Sequence, residues 1–231
     1  MTVKGVLFDF SGTLLRVEPV ADWLRAVLDE AEVRVPEDEF GRYARLLEEA
    51  GALPGGPSPR ALPPSLEAVW RERDRTPELH RAAYTAVART VPLPREELYD
   101  ALYDRHMRPE AWRPYADTRD VLAALRERGV PVAVVSNIGW DLRPVFRAHE
   151  LAPYVREYVL SYEHGVQKPE PGLFRAGCEA LGLAPEDVLM VGDDREADGG
   201  AADIGCAVHF VDHLPVELRP GGLVPLLDRI D

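Results

Sequence analysis

The sequence has little lysine, little cysteine and no long apolar run, and each shortage excludes a class of protein. Cys178 and Cys206 match no metal-ligand spacing, which favours a reduced, cytoplasmic setting. No apolar run approaches the ~20 residues that a membrane-spanning helix needs, and Asp9 follows the first residue too closely for a signal peptide. The formal net charge of −13 would repel nucleic acids and anionic membranes. We therefore expect neither nucleic-acid nor membrane partners.

Apolar periodicity divides the chain into two regions. Residues 16–113 show the three- and four-residue spacing of helices and no strand pattern. Within them, residues 51–64 contain five prolines, which predicts a loop between helices. From Tyr115 onward, short apolar runs alternate with helical stretches, as in parallel βαβ units with right-handed crossovers. We predict an α/β core domain from residues 1–15 and 114–231, with an all-helical insertion at 16–113.

The individual elements follow from the same spacing. In the α/β region, strands are predicted at 131–136, 157–161, 188–191 and 207–211, after a first strand that ends at Asp9. Helices are predicted at 118–128, from Asn137 to about His149, and at 172–181. In the insertion, helices are predicted around 23–28, 36–47, 65–73, 77–89 and 94–107.

Chemically active residues follow four of the predicted strands. They are Asp9 with Ser11, Ser136 with Asn137, Lys168, and Asp193 with Asp194. In open α/β sheets, ligands bind just beyond the carboxyl ends of the strands, so we expect these side chains to lie together. Taken singly, each acid could equally cap a turn or a helix.

Lys168 is the most informative of these residues because the only other lysine is Lys4. Lys4 lies five residues before Asp9 on the same predicted strand, roughly 16 Å away. Lys168 is therefore the only lysine that could neutralise an anion beside Asp9. The Ser136 hydroxyl and the backbone N–H of Asn137, at a predicted helix start, would complete the anion site. An exposed lysine and a helix-capping serine are the ordinary alternatives.

In this order, the four segments resemble the motifs of the haloacid dehalogenase-like hydrolase superfamily over nearly the whole chain. The segments are Asp9-Phe10-Ser11-Gly12-Thr13, Val134-Val135-Ser136-Asn137, Lys168-Pro169, and Gly192-Asp193-Asp194 with Asp198 downstream. The resemblance implies a Rossmann-like, three-layer α/β core with a parallel sheet. The insertion at 16–113 is similar to the helical cap of the branch that carries it between motifs one and two.

The resemblance also implies a Mg²⁺-dependent hydrolase, above all a phosphatase or phosphotransferase of a small phosphorylated metabolite. Asp9 would be the nucleophile that forms an aspartyl-phosphate, and Asp9, Asp193 and the carbonyl of Ser11 would bind the metal. Asp194 and Asp198 would lie behind these ligands. The phosphate-binding residues would be Gly12, Thr13, Ser136, Asn137 and Lys168. Mg²⁺ suits this set because it prefers hard oxygen ligands and few carboxylates.

Ser11 departs from the pattern, because phosphatases of the superfamily usually carry an acid–base aspartate there. A hydroxyl is too weak an acid to protonate a leaving alkoxide, a transfer worth ~10²–10⁴ in rate. Glu163 or His164 could supply the proton instead. Otherwise we expect slow hydrolysis of alkyl phosphates, faster hydrolysis of acyl or aryl phosphates, and a gain on alkyl esters in Ser11→Asp. A phosphonatase is excluded, because no lysine lies between Lys4 and Lys168 to form its Schiff base.

Two alternatives stay open at this point. A 2-haloacid dehalogenase also has a non-acidic residue at position 11, but the acidic pair Asp193-Asp194 speaks against that branch. The other alternative is a binding or regulatory protein with weak catalysis, and Ser11 is the only sequence feature that favours it. The candidate substrate contacts from the insertion and from the region beside the predicted phosphate site are Arg16, Trp23, Arg42, Arg45, Trp70, Trp140 and Arg143.

Overall fold

The three apolar residues before Asp9 are completely buried, which is the mark of a strand covered on both faces. They belong to the central strand of a five-stranded sheet in the computed structural model, which describes residues 3–230. The strands are β1 (Gly5–Phe8), β4 (Val132–Ser136), β5 (Glu157–Leu160), β6 (Val188–Gly192) and β7 (Ala207–Phe210). Their order is β5-β4-β1-β6-β7, and every neighbouring pair is parallel. The predicted α/β class is confirmed.

Alternate residues of β1 enter different apolar clusters, so the sheet is the middle of three layers. Val6 and Phe8 belong to the larger cluster, while Leu7 packs in a second one. The helices of this region are α6 (Thr118–Glu127), α7 (Arg143–Ala148), α8 (Ser161–His164) and α9 (Pro171–Leu181). Helix α9 covers the Leu7 face through Leu173, Phe174, Cys178 and Leu181. Helices α6 and α7 contribute to the cluster on the other face.

The sequence predicts no strand within residues 16–113, and that prediction is wrong at both ends of the range. β2 (Leu15–Val17) pairs antiparallel with β3 (Trp112–Pro114) at the two ends of the insertion. Three-residue strands are too short to show a two-residue alternation, which is why the periodicity missed them. The helices between them are α1 (Val20–Glu30), α2 (Glu37–Ala50), α3 (Glu67–Arg71), α4 (Pro77–Ala88) and α5 (Glu97–His106). We call residues 18–111 the helical segment.

The prediction of one helix over 65–73 is wrong in detail. The chain forms a 3₁₀ turn at Pro64–Leu66, then α3, then a second 3₁₀ turn at Arg73–Arg75. The second turn ends at Thr76, which caps α4 by accepting a hydrogen bond from Leu79 N–H at 3.2 Å. Residues 64–75 therefore connect α2 to α4 by short turns instead of one regular helix. Trp70, Arg73 and Asp74 of this stretch line the site described below.

The prediction that a helix starts at Asn137 is also wrong. Helix α7 begins at Arg143 with Pro144 in its first turn, where a proline is well suited, and residues 137–142 are irregular. A side chain at Gly139 would clash with His80 of the helical segment, so this loop packs closely against that segment. No helix within residues 3–230 is long and apolar enough to cross a bilayer.

Candidate functional site

Asp9 is held at the tip of β1 by a backbone hydrogen bond to β6 and by the packing of the next residue, Phe10. Its backbone N–H donates to Val191 O of β6 at 2.9 Å, which extends the sheet pairing by one residue. The next residue, Phe10, is fully buried, and its ring lies 4.4 Å from the ring of Trp112 and 5.8 Å from that of Phe146. Aromatic pairs of this kind contribute roughly 0.5–1.5 kcal/mol each. Phe10 therefore anchors the strand end that positions the Asp9 carboxylate.

Lys168 lies beside Asp9, as predicted, and binds two carboxylates. Its Nζ donates to Asp9 Oδ1 at 2.6 Å and to Asp198 Oδ1 at 2.6 Å, and all three residues are buried. Burial alone would lower the pKa of Lys168, but Asp198 and Asp9 outweigh it and raise the pKa above its ordinary value. The lysine is thus a fixed cation at the end of the sheet.

Asn137 positions this lysine instead of opening a helix. The side-chain Nδ2 donates to Lys168 O at 2.9 Å, and Lys168 N–H donates to Asn137 Oδ1 at 2.6 Å. Both the nitrogen and the oxygen of the side-chain amide form hydrogen bonds, so the loop that carries Lys168 is bound to the end of β4. The predicted anion cradle at a helix N-terminus is corrected accordingly, because no helix begins at Asn137.

Asp193 follows β6 and is held from two sides. Thr13 Oγ1 donates to Asp193 Oδ1 at 3.0 Å, and Nδ1 of His213 contacts the other oxygen, Oδ2. Burial alone would raise the pKa of Asp193, but the hydrogen bonds from His213 and Thr13 outweigh it and lower the pKa. Gly12 allows this approach, since a Cβ there would lie 2.5 Å from Asp193 Oδ2, and its φ is +84°. The Asp193 carboxylate is therefore ionised and fixed.

Three of these carboxylates lie close enough to share a cation. Ligand oxygens of Asp9, Asp193 and Asp198 lie within 4.8 Å of one another. With Lys168 as the single cation among them, the four side chains leave a negative charge that a divalent ion would balance. All the donors are hard oxygens, so the set fits Mg²⁺. Asp198 stands closer to this centre than the sequence suggested.

Asp194 does not lie behind the metal ligands, as the resemblance implies, but at the surface. It is exposed, and its Oδ1 accepts hydrogen bonds from the backbone N–H groups of Glu196 and Ala197, both at 2.9 Å. Its own N–H donates to Asp198 Oδ2 at 3.0 Å. Asp194 thus shapes the turn that brings Asp198 to Lys168.

A cavity of about 500 Å³ opens above these side chains. The core residues that line it, which we call the core wall, are Asp9, Ser11, Ser136, Asn137, Lys168, Asp193, Asp194, Arg195, Ala197, Asp198 and His213. Opposite, the helical segment contributes Trp70, Arg73, Asp74, Tyr84 and the loop from Gly51 to Ser58, which we call the helical wall. Gly12 and Thr13, predicted to bind phosphate, are absent from this lining and lie behind Asp193.

Ser11 connects the two walls. Its Oγ donates to Gly55 O of the helical wall at 3.2 Å. A Cβ at Gly55, whose φ is +78°, would lie 2.6 Å from that Oγ and 2.7 Å from Trp112. The Ser11 hydroxyl is therefore engaged in holding a loop of the helical wall close to the end of β1.

Of the residues proposed from the sequence as substrate contacts, only Trp70 lines the cavity. Trp23 is buried and donates to Leu102 O at 2.8 Å, and Trp140 is buried as well. Arg42 and Arg45 are exposed. Arg16 contacts His213, and Arg143 pairs with Asp141 and Glu163, each at 2.9 Å. These six are structural or surface residues in this arrangement.

The cavity residues that the sequence reasoning missed include Arg73, Asp74, Tyr84, Arg195 and His213. His213 could have been found, because it follows the fifth predicted strand as the other site residues follow theirs. Arg73 and Asp74 lie in the run Arg71-Glu72-Arg73-Asp74-Arg75, whose alternating charges are typical of a solvated face. No sequence signal marks them as cavity residues.

Comparison with known proteins gives consistent matches. The model of the haloacid dehalogenase-like hydrolase family matches residues 3–203. A phosphoserine phosphatase of Thermus thermophilus is 34% identical, over 94% of this chain and 91% of that protein. A phosphoglycolate phosphatase of Escherichia coli K12 is 26% identical, over 88% and 79%. The solved L-2-haloacid dehalogenase from Xanthobacter autotrophicus has a TM-score of 0.66 at 23% identity, covering 99% of this chain and 87% of that one. That last likeness shows the fold alone.

Proposed function

The chain belongs to the haloacid dehalogenase-like hydrolases, and from that premise we propose that it is a Mg²⁺-dependent phosphatase of small phosphorylated metabolites. The observation that carries the proposal is the buried arrangement of Asp9, Lys168 and Asp198, with Asp193 beside it. A carboxylate with one oxygen on a fixed cation is oriented for attack, and its neighbours can hold a divalent ion. The named phosphatases among its relatives support the same reaction.

In this proposal Asp9 attacks the phosphorus of a phosphate monoester. The new Asp9–phosphorus bond forms as the bond to the leaving oxygen breaks, and water then cleaves the aspartyl-phosphate to release phosphate. Lys168 stabilises the charge of the phosphoryl oxygens, which is the main demand of phosphoryl transfer. Mg²⁺ bound by Asp9, Asp193 and the Ser11 carbonyl would supply further charge neutralisation there. Ser136, which lines the cavity, is proposed to donate to the phosphate.

The cavity supports a small substrate. Its volume of about 500 Å³ is in the usual range for metabolite sites, and both named phosphatase relatives carry the names of small phosphorylated acids. We further propose that residues 16–113 act as a cap over a core formed by 1–15 and 114–231. Cys178 and Cys206 are free thiols, in keeping with a cytoplasmic location.

The test is a panel of phosphorylated metabolites assayed for phosphate release with Mg²⁺ and with a chelator, with 2-chloropropionate included for chloride release. We expect phosphate release that requires the metal and is abolished in Asp9→Asn. Asp187→Asn, an exposed acid that pairs with Lys4, is the matched control and should keep full activity. Chloride release would instead identify a dehalogenase. Release of neither product would favour a binding protein.

A further inference from the structure

The proposed reaction needs a proton donor for the leaving oxygen, and the candidates named from the sequence do not reach the site. The Ser11 hydroxyl is bound to Gly55 O and is a weak acid. Glu163 is exposed and paired with Arg143 at 2.9 Å, and His164 is exposed. Neither Glu163 nor His164 lines the cavity. The acid that the usual motif supplies must come from another part of the chain.

Asp74 is the carboxyl group that the helical wall contributes to the same cavity. It is only 3% exposed, and its backbone is fixed to the core because Ser161 Oγ donates to Asp74 O at 2.5 Å. Its neighbour Arg73 lines the cavity as well. Asp74 and Lys168 line the same cavity, and the positive charge of Lys168 acts to lower the pKa of Asp74.

The surroundings of Asp74 leave its carboxyl group free to exchange a proton. Arg73 Nε lies 3.5 Å from Oδ2 and His80 Nε2 lies 3.7 Å from Oδ1, and no hydrogen bond from residues 3–230 reaches either oxygen. Burial raises the pKa of Asp74, while Arg73 and Lys168 oppose the rise. Burial also lowers the pKa of His80 well below its usual value and raises that of Tyr84, so both are neutral near pH 7.

We propose that Asp74 is the general acid and base of this enzyme, in place of the side chain at position 11. The proposal rests on the phosphatase function above. As Asp9 attacks and the phosphorus–oxygen bond of the substrate breaks, Asp74 gives its proton to the leaving oxygen. The Asp74 carboxylate then takes a proton from the water that attacks the aspartyl-phosphate. That attack releases phosphate, frees Asp9 and restores the protonated Asp74.

The test compares two kinds of substrate in Asp74→Asn. An alkyl phosphate needs a proton on its leaving oxygen, whereas p-nitrophenyl phosphate releases a stable phenolate without one. We expect kcat/KM for the alkyl ester to fall ~10²–10⁴-fold and that for the aryl ester to fall less than about tenfold. Glu163→Gln, the exposed acid proposed from the sequence, is the matched control and should change neither value. Equal losses on both substrates, or none, would overturn the proposal.

A second measurement uses the wild-type enzyme and does not depend on the variant folding. If Asp74 protonates the leaving oxygen, kcat/KM across a series of alkyl and aryl phosphates should depend only weakly on the pKa of the leaving group. A steep dependence would mean that no acid acts and would refute the role of Asp74. Absence of phosphate release from every substrate would instead refute the proposed function itself.

Discussion

The two walls of the cavity hold their acids in opposite ways. On the core wall, Asp9 and Asp198 share Lys168 at 2.6 Å, and Asp193 is bound by Thr13 and His213. On the helical wall, the Asp74 carboxyl group has no hydrogen bond within residues 3–230, and its nearest cation is 3.5 Å away. The core-wall carboxylates are thus each fixed by a hydrogen-bond donor, whereas the Asp74 carboxyl group has no such donor in the described part of the chain and lines the cavity.

The region behind Asp74 reinforces this contrast. His80 Nδ1 lies 2.7 Å from Tyr103 OH, and His106 stacks against His80 with ring centroids 5.7 Å apart. Burial lowers the pKa of both histidines, that of His106 to about 3. The helical wall is therefore backed by neutral polar groups, and the core wall by an ion network.

The largest expected effect comes from removing Lys168, the buried cation that Asp9 and Asp198 share. Lys168→Met leaves Asp9 and Asp198 buried without their counter-ion. We expect kcat/KM to fall at least ~10³-fold, since one charge-stabilising donor is typically worth that much, and stability to fall by about 3–5 kcal/mol. Phosphate release and urea unfolding measure the two losses. Lys4→Met, which removes the other lysine, should change neither by a comparable amount; similar effects would contradict the role of Lys168.

The next effect concerns the neutral histidines behind the helical wall. The unfolded chain protonates His106 below about pH 6.5, while the folded protein does so only near pH 3. Between these values the unfolded state binds more protons, so the free energy of unfolding should rise with pH and be lost on acidification. His106→Asn should reduce the difference between about pH 4 and pH 7 by about 3 kcal/mol. Urea titrations at each pH measure it.

The matched control for that titration is His164→Asn, which removes an exposed histidine. If the pH dependence of the free energy of unfolding were unchanged in His106→Asn, this histidine would accept a proton in the folded state as it does in the unfolded state. The conclusion that neutral groups lie behind the helical wall would then be wrong.

A smaller effect links the walls through position 11. Ser11→Asp introduces a carboxyl group at this position, but the new carboxylate would face Gly55 O, which now accepts a hydrogen bond from the serine. We expect it to raise alkyl phosphate turnover roughly tenfold in the Asp74→Asn background and by less in the wild type, where Asp74 already acts. Steady-state kinetics on the wild type, the two single variants and the double variant measure this. A larger gain in the wild type than in Asp74→Asn would show that no acid was present before.

The smallest effect concerns the contact between Ser11 and the helical wall. Gly55→Ala would place a methyl group 2.6 Å from Ser11 Oγ at a φ of +78°, so the loop must shift. We expect KM to rise several-fold with little change in kcat. Gly41→Ala, in the exposed interior of α2 with nothing within 4 Å, is the control. It should stabilise the fold by about 0.5–1 kcal/mol and leave KM alone. Equal KM values in both variants would show that the loop does not contact substrate.

The same contrast explains how much the sequence could predict. The core wall lies at strand ends. Strands covered on both faces give continuous apolar runs in the sequence, and the polar site residues follow directly after these runs. Asp9, Lys168 and Asp193 were therefore predictable in place. The role of Asn137 was not, because the strand pattern cannot show that residues 137–142 form a loop packed on His80.

The helical wall could not be predicted for a different reason. Asp74 lies in a run of alternating charges whose local pattern favours solvent exposure. Its burial depends on packing between segments far apart in the chain, shown by the hydrogen bond from Ser161 to its carbonyl. Local periodicity contains no information about such contacts.

The most direct test of the whole account is an acid quench of the wild-type enzyme during turnover of p-nitrophenyl phosphate with Mg²⁺, followed by peptide mass spectrometry. We expect one phosphoryl group on the peptide that contains Asp9, absent from Asp9→Asn and present in Asp74→Asn. A phosphoryl group on any other residue, or turnover that continues in Asp9→Asn, would contradict it.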